Sequence, residues 1–276
     1  VGSEMCIRDR ANTDCSFNEP ARIGYEAILL DNSSGVTTVE EAKSQIESKT
    51  APDFSTVTTA SDKGMYSARD DLGTSYYFRG AVDNNWVKYG KYTKDMYNCN
   101  NGTISATDTG NSCTKIASSG DDIYWRIIRI NGDNSIRMIY SGVTPPTEST
   151  KVIKTTDTSL GEIEFNRNYD SAEYVGYMYE IGEQHGISQS SDIKTFLDNW
   201  YANYTDLNST GTKTTDQIYC IDRTASTSTA SYSTTDYTTL TIWNSTGVDY
   251  CYGGYGRIAK DNNPMLTCAV DSDRFT

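Results

Sequence analysis

The chain has 276 residues, of which 36% are hydrophobic, and its 37 acidic and 24 basic side chains give a formal net charge of −13. Proteins bind nucleic acid by neutralising phosphates with lysine and arginine, so an acidic chain without a basic cluster is not expected to do so. The sequence contains no apolar run of 18 residues that would span a bilayer. Its 21 tyrosines, its many Thr, Ser and Asn residues and its single histidine indicate a β-rich extracellular protein.

The first ten residues, VGSEMCIRDR, are unlike a natural leader. They have neither an apolar run nor a small-residue cleavage site, so they are not a signal peptide. The string resembles the translated end of a transposase adapter used to prepare sequencing libraries. We therefore expect residues 1–10 to be an artefact that packs on nothing, and we expect the natural N-terminus, with any anchor, to be missing.

Without Cys6 the chain has six cysteines, namely Cys15, Cys99, Cys113, Cys220, Cys251 and Cys268. An even set at wide spacing without C-x-x-C is typical of disulfides in an oxidising compartment rather than of a metal site. Cys99 and Cys113 flank the polar segment CNNGTISATDTGNSC, so we predict that they pair. For a second bond we predict Cys220 with either Cys268 or Cys251.

Residues 11–70 have a weak, interrupted helical pattern. The clearest part is VTTVEEAKSQIESK at 36–49, where Thr38 and Glu41 form a capping-box signature before Val39, Ala42 and Ile46. Residues 50–64 are predicted to be an extended linker. We expect residues 11–70 to form an N-terminal helical segment and residues 71–276 to form the main domain.

Two hairpins are predicted next. The aromatic and β-branched runs at 74–82 and 86–90 flank the turn cluster at 83–85, which indicates a hairpin. The segments 123–130 and 135–142 flank turn residues 131–134 and indicate a second hairpin, with Ile130 facing Ser135. That register predicts one core face and one half-covered face. The core face comprises Trp125, Ile127, Ile136, Met138 and Tyr140, and the other comprises Arg126, Ile128, Arg137 and Ile139.

The second half of the chain is predicted to contain short strands at 162–166 and 174–180 and one strong helix, SSDIKTFLDNWYANYT, at 190–205. Ser190 or Ser191 is the expected N-cap, and Asp192 lies at the positive end of the helix dipole. The helical period aligns one apolar stripe, formed by Ile193, Phe196, Leu197, Trp200 and Tyr204. Residues 224–247 have the composition of a low-complexity surface loop.

The order of several segments carries a family resemblance. DDLGTSYYFRGAVDNNWV, YWRIIRINGDNSIRMIYSG, YVGYMY, DIKTFLDNWY, YCIDRT and MLTCAVDSDRFT resemble a family of secreted bacterial surface proteins of gut-metagenome type. That family looks similar to C-type-lectin-like domains, in the branch of the formylglycine-generating enzymes and phage receptor-binding tips. The resemblance implies an α+β fold of antiparallel hairpins and a packed amphipathic helix. It also implies that the domain continues beyond residue 276, so that the chain is expected to be truncated at both ends.

The candidate ligand-binding residues are aromatic side chains in a Ser/Thr/Gly-rich region, namely Tyr237, Trp243, Tyr250, Tyr252 and Tyr255. Rings on loops stack against sugars or anchor a protein partner, although for Tyr250 to Tyr255 a strand that closes the core is the favoured alternative. The single histidine, His185, lies in the polar segment EQHGISQ and is expected to be a solvated loop residue. Calcium ligation by 121–122 or 271–273 follows no known loop pattern, so no metal and no other cofactor is expected.

These observations predict an exported, non-enzymatic cell-surface protein that binds a carbohydrate or protein ligand in an adhesin-like manner. It would be attached to the membrane only through the missing N-terminus. The alternative is a structural, pilin-like or envelope subunit in which the lectin-like domain is a spacer. An enzyme of the formylglycine-generating type is the least favoured hypothesis, because no reactive cysteine pair of that kind is visible.

Overall fold

The protein combines helices and antiparallel β-sheets in an α+β fold, seen here in a computed structural model. The structure describes residues 6–7, 23–56, 62–80, 82, 85–99, 103–108, 110, 112–145, 159–168, 174, 176–183, 185–208, 217–221 and 264–276. Among these residues, no helix has the length and apolar character needed to cross a membrane.

The helices and strands follow one another along the described chain in this order: β1 Cys6–Ile7, α1 Ile23–Asp31, α2 Val39–Glu47, β2 Gly64–Arg69, β3 Thr74–Arg79, β4 Trp86–Lys91, β5 Met96–Cys99, β6 Ile104–Ser105, β7 Cys113–Ala117, β8 Asp122–Ile130, β9 Ile136–Tyr140, β10 Met178–Tyr179, β11 Gln189–Ser190, α3 Asp192–Tyr204, β12 Tyr219–Cys220 and β13 Arg274–Phe275. A short 3-10 helix, Asp271–Asp273, directly precedes β13.

The chain divides into two compact units. Unit 1 comprises Val1–Pro52, Val57–Glu162 and Asn199–Thr215, and unit 2 comprises Asp53–Thr56, Ile163–Asp198 and Asp216–Thr276. The domain boundary expected near residue 70 therefore falls inside unit 1, between β2 and β3.

Unit 1 is built on a sheet of six strands centred on β8. Arg126 of β8 pairs with Trp86 of β4 on one side and with Ile139 of β9 on the other. Near its end, β8 also pairs with β3 through Tyr76 and Ile130, and β3 pairs with β2 along its whole length. Since a strand has two hydrogen-bonding edges, β3 and β4 share the edge of β8 that β9 leaves free.

The predicted hairpin between 74–82 and 86–90 is wrong. Its two strands, β3 and β4, do not pair with each other, because the nine-residue strand β8 is long enough to take both of them on one edge. The hairpin partner of β3 is instead β2, which begins at the last residue of the predicted linker and was expected to belong to the N-terminal segment 11–70.

A buried aspartate joins the turn of the β2–β3 hairpin to the turn of the β8–β9 hairpin. The Asp70 carboxylate accepts hydrogen bonds from the backbone N–H groups of Leu72, Gly73 and Gly132 and from the Ser75 hydroxyl, at 2.6–3.0 Å. The two turns approach so closely that a Cβ atom on Gly132 would lie 2.3 Å from the Gly73 nitrogen. Glycine is therefore required at position 132.

The second predicted hairpin is confirmed as β8–β9, with a change of register. Ile127 lies opposite Met138, as the predicted register requires, but Ile130 lies opposite Ile136 rather than Ser135. A β-bulge at Ile128 causes the shift, because an extra residue on one strand moves the following side chains to the opposite face. Ile130 thereby joins the core face, where it is fully buried. The other face is half covered, as predicted, and it exposes Ile128 and Ile139.

Helices α1 and α2 pack on the core face of this sheet. The capping box of α2 is confirmed, since the Thr38 side chain accepts from the Glu41 N–H and the Glu41 carboxylate accepts from the Thr38 N–H. The sequence analysis did not predict α1, whose apolar residues are not confined to one face. The two helices and the sheet share one core, formed by Ile28, Leu29, Ala42, Ile46, Met65, Tyr76, Val87, Tyr89, Ile127, Ile130 and Leu207.

The predicted strong helix is confirmed as α3. Ser191 caps it, because its hydroxyl accepts from the Lys194 N–H at 3.2 Å. Of the predicted stripe, Phe196, Trp200 and Tyr204 are buried and the other two residues are partly buried. Within unit 1, the Trp200 ring lies among Tyr92, Trp125 and Tyr140, at centroid distances of 5.4–6.4 Å.

Three smaller predictions concern the remaining strands. Residues 1–10 were expected to pack on nothing, but the backbone of β1 pairs with β4, which corrects that expectation. The physical reason is that the outer edge of β4 offers free backbone donors and acceptors to any extended segment. The strand predicted at 162–166 is not formed, and the strand predicted at 174–180 is reduced to β10.

Candidate functional site

Five side chains in unit 2 meet around the segment formed by the 3-10 helix and β13. We refer to Tyr177, His185, Tyr219, Asp273 and Phe275 as the C-terminal site. Tyr177 immediately precedes β10, His185 lies between β10 and β11, and Tyr219 begins β12. The site therefore combines residues from three separate parts of the sequence, which only the tertiary fold brings together.

The strand pair β12–β13 positions the aromatic part of the site. Tyr219 lies directly opposite Phe275, and Cys220 lies opposite Arg274. A disulfide links Cys220 to Cys268. Because β12 and β13 have only two residues each, the disulfide supplies a covalent constraint that so short a strand pair lacks.

Three rings of the site are stacked on one another. Phe275 stacks against Tyr177 at a centroid distance of 5.8 Å and against Tyr219 at 5.5 Å, with an interplanar angle of 24° in both pairs. Tyr219 remains 44% exposed, so this residue presents surface to solvent while its ring is stacked on Phe275. Burial, together with the negative charge of Asp198 and the neighbouring Tyr219, raises the pKa of Tyr177 to about 12. Tyr177 is therefore neutral at physiological pH.

The polar part of the site is a histidine–aspartate pair. His185 Nδ1 lies 2.7 Å from Asp273 Oδ2, and the other carboxylate oxygen accepts from the Gly186 N–H at 3.2 Å. The Asp273 side chain is fully buried, whereas that of His185 is 28% exposed. A buried carboxylate is stable only with hydrogen-bond partners, so Asp273 holds the imidazole ring in a defined orientation.

The aromatic and polar parts lie close together because they share one short segment. Asp273 and Phe275 are two residues apart, and two residues of extended chain span about 7 Å. The side chains of His185 and Tyr177 each contact one of these two residues. A ligand of the size of one or two sugar rings that stacks on the aromatic rings is therefore within reach of the imidazole.

Charged groups around the site are mainly acidic. Asp271 is exposed and pairs with Arg274 at 3.0 Å, and Glu180 lies against Gly186. The Lys194 ammonium lies 5.9 Å from the centroid of the Tyr177 ring. A stacked aromatic surface with an oriented imidazole and acidic neighbours is suited to binding a ligand that has both an apolar face and hydroxyl groups.

The sequence-predicted site residues have different outcomes. Tyr237, Trp243, Tyr250, Tyr252 and Tyr255 lie outside the described residues, and so does the predicted surface loop at 224–247.

Both disulfide predictions are confirmed. Cys99 is bonded to Cys113, directly across the strand pair β5–β7, and Cys220 is bonded to Cys268 rather than to the alternative Cys251.

The expectation that His185 is a solvated loop residue is wrong, since it pairs with a buried aspartate. The acidic residues weighed as calcium ligands bind protein groups: Asp121 accepts from the Ser118 N–H, Asp122 pairs with Lys88 and Lys91, and Asp273 pairs with His185.

Sequence reasoning missed the C-terminal site as a whole. Tyr177 and Tyr219 are two of 21 tyrosines, and no local period distinguishes them from the rest. Two signals could have led to the site: the histidine is the only one in the chain, and Tyr219 is adjacent to a cysteine predicted to form a disulfide.

Comparison of the chain with known protein families, with curated proteins and with solved structures finds no match. The arguments for function therefore rest on the residues and their geometry.

Proposed function

We propose that the protein is an exported, non-enzymatic binding module that recognises a carbohydrate or protein ligand at the cell surface, and that the C-terminal site is where the ligand binds. The observation that carries the proposal is the stacked arrangement of Tyr177, Phe275 and Tyr219, with Tyr219 substantially exposed. An exposed aromatic ring that is held in place by stacking binds a ligand with little loss of side-chain entropy.

Two disulfides support the cellular location in this proposal. Disulfides persist in oxidising compartments and are rare in the cytosol, where thiols are kept reduced. The bonds Cys99–Cys113 and Cys220–Cys268 are therefore typical of an exported protein. The high proportion of Thr, Ser, Asn and Tyr in the chain is compatible with the same location.

We also propose that the α+β architecture is of the C-type-lectin-like class and that the chain belongs to the family of secreted bacterial surface proteins described above. The hairpin β8–β9 and helix α3 support this, because they coincide with the two sequence segments that carry the resemblance most specifically. An experimental structure whose strand order cannot be aligned with that of lectin-like domains would contradict the proposed class.

The experiment that tests the proposed function is a binding screen against an immobilised panel of bacterial and host glycans, followed by calorimetry on any glycan that binds. Tyr219→Ala is expected to weaken binding at least tenfold, which corresponds to roughly 1.4 kcal/mol. Phe165→Ala is the matched control, because Phe165 is an aromatic residue of unit 2 outside the site and is at least as exposed as Tyr219.

Circular dichroism of each variant would separate loss of binding from loss of folding. Binding that survives Tyr219→Ala unchanged would contradict the assignment of the site. A folded wild-type protein that binds no glycan would contradict the carbohydrate form of the proposal, and co-precipitation with host surface proteins would then test the protein form.

A further inference from the structure

We infer that Asp273 holds His185 so that the uncharged imidazole carries its proton on Nδ1, and that Nε2 of His185 then accepts a hydrogen bond from a hydroxyl group of a neutral, polyhydroxylated ligand. This inference rests on the proposed function, because it describes how the C-terminal site would select its ligand. It assigns a binding role to His185 and a positioning role to Asp273.

The tautomer follows from the hydrogen bonds of the Asp273 carboxylate. An ionised carboxylate only accepts hydrogen bonds, so a ring nitrogen at 2.7 Å from Asp273 Oδ2 has to be the donor. A neutral imidazole has one N–H group, and if Nδ1 carries that proton, Nε2 is left with a free lone pair. Two further hydrogen bonds hold Asp273 in place. Its carboxylate accepts one from the Gly186 N–H, and its backbone carbonyl oxygen accepts one from the Ile221 N–H.

The orientation of the ring follows from the difference in burial between the two partners. The carboxylate is fully buried, whereas 28% of the histidine side chain is exposed. The Nδ1 edge of the ring faces the buried carboxylate, so the exposed part lies on the opposite side, where Nε2 is located. The acceptor therefore lies on the exposed side of the imidazole, in a site whose central ring, Phe275, is two residues from Asp273.

The chemical class of the ligand follows from the neighbours of the imidazole. An acceptor nitrogen requires a donor, and the hydroxyl groups of a sugar are donors that also leave the ring carbons free to stack. Asp271 is 92% exposed, Glu180 contacts Gly186, and the whole chain has a net charge of −13. The two cations near the site are each paired with an acid, Arg274 with Asp271 and Lys194 with Asp198, so they do not offset the negative charge of Glu180 and of the chain as a whole. The remaining negative charge repels a carboxylate or a sulfate, so the site is expected to prefer a neutral sugar to an acidic one.

The tautomer can be measured directly because His185 is the only histidine of the chain. In protein labelled with 15N-histidine, at pH 8, where an ordinary histidine is neutral, two-bond 1H–15N spectra contain the signals of a single imidazole. We expect a protonated Nδ1 and an unprotonated Nε2 in the wild-type protein. In Asp273→Asn, the amide can donate to Nδ1, so the proton is expected to move to Nε2. A wild-type spectrum with the proton on Nε2 would overturn the inference, whether or not the variant folds.

The binding role is tested on the glycan panel of the proposed function, which includes neutral glycans and their uronic-acid and sulfated counterparts. His185→Ala is expected to weaken binding of a neutral glycan about three- to tenfold, the effect of one neutral hydrogen bond. Addition of that glycan should shift the Nε2 resonance and leave Nδ1 protonated. Phe165→Ala is again the control.

Failure of the inference is distinguishable from failure of the proposed function. Equal binding by wild type and His185→Ala, with loss of binding in Tyr219→Ala, would overturn the inference and leave the proposed function standing. A preference for acidic glycans would also overturn it. If the folded wild-type protein binds no glycan at all, the carbohydrate function fails first and the proposed ligand class fails with it.

Discussion

Replacement of Trp200 by alanine should be among the most damaging single changes in unit 1. The Trp200 side chain is only 5% exposed, its ring lies within 6.4 Å of three other aromatic rings, and its Nε1 donates to the Tyr92 hydroxyl at 3.1 Å. Removal of a buried tryptophan costs about 3–5 kcal/mol, because the transfer free energy of the ring is lost and a cavity remains.

The assay is urea denaturation monitored by far-UV circular dichroism, with the midpoint and the slope fitted separately. In a thermal melt followed by the same signal, Trp200→Ala should lower the midpoint by roughly 6–20 °C, since 1 kcal/mol corresponds to about 2–4 °C for a domain of this size. Trp200→Phe removes the hydrogen bond to Tyr92 and part of the ring volume but keeps an aromatic ring in the cavity, so it should cost less than the alanine variant. Asn199→Ala is the matched control on the exposed side of α3 and should cost well under about 1 kcal/mol. Equal, small effects of Trp200→Ala and Asn199→Ala would refute the packing argument.

The remaining predictions concern the disulfides and Asp70. Under mild reduction and differential alkylation, Cys220–Cys268 should open before Cys99–Cys113, because Cys220 is exposed and Cys99 is only 1% exposed. Opening of Cys99–Cys113 first would contradict this accessibility argument. Replacement of both Cys220 and Cys268 by serine should lower the free energy of unfolding by about 4 kcal/mol, since this bond closes the longer loop. The pKa of Asp70 lies below its ordinary value. Burial alone would raise the pKa, but the hydrogen bonds from one hydroxyl and three backbone N–H groups outweigh that effect. A lowered pKa stabilises the folded state above about pH 4, and this contribution is lost as the pH falls through the folded pKa. The stability difference between wild type and Asp70→Asn should therefore shrink below about pH 4 in acid titrations, and a difference independent of pH would contradict the role of the charge.

Several local elements could be predicted from the sequence. The capping box at Thr38 and Glu41 and the period of α3 depend on residues within four positions of one another. The turn of the β8–β9 hairpin is equally local, and Asn134 adopts the positive φ of 66° that asparagine tolerates. Such features need only short-range sterics and hydrogen bonds, which the order of residues already contains.

Strand pairing was only partly predictable. The runs at 74–82 and 86–90 have the composition of strands, and both form strands, but no local signal shows that β8 lies beside both of them. The bulge at Ile128 likewise has no marker such as glycine. The bulge is favoured because it buries Ile130 beside Tyr76, which lies 54 positions earlier in the chain.

The sequence by itself determined helices α2 and α3, the β8–β9 hairpin, the acidic charge and the pairing of Cys99 with Cys113, because each depends on composition or on short-range spacing. It left the partner of Cys220 open, and the tertiary fold selects Cys268. Only the tertiary structure decided the candidate site. His185 and Asp273 are 88 residues apart, and Tyr177, Tyr219 and Phe275 come from three separate segments. Contacts between such distant residues are made only when the burial of the whole unit offsets the entropy of closing the long loops between them, and no local pattern in the chain encodes that balance.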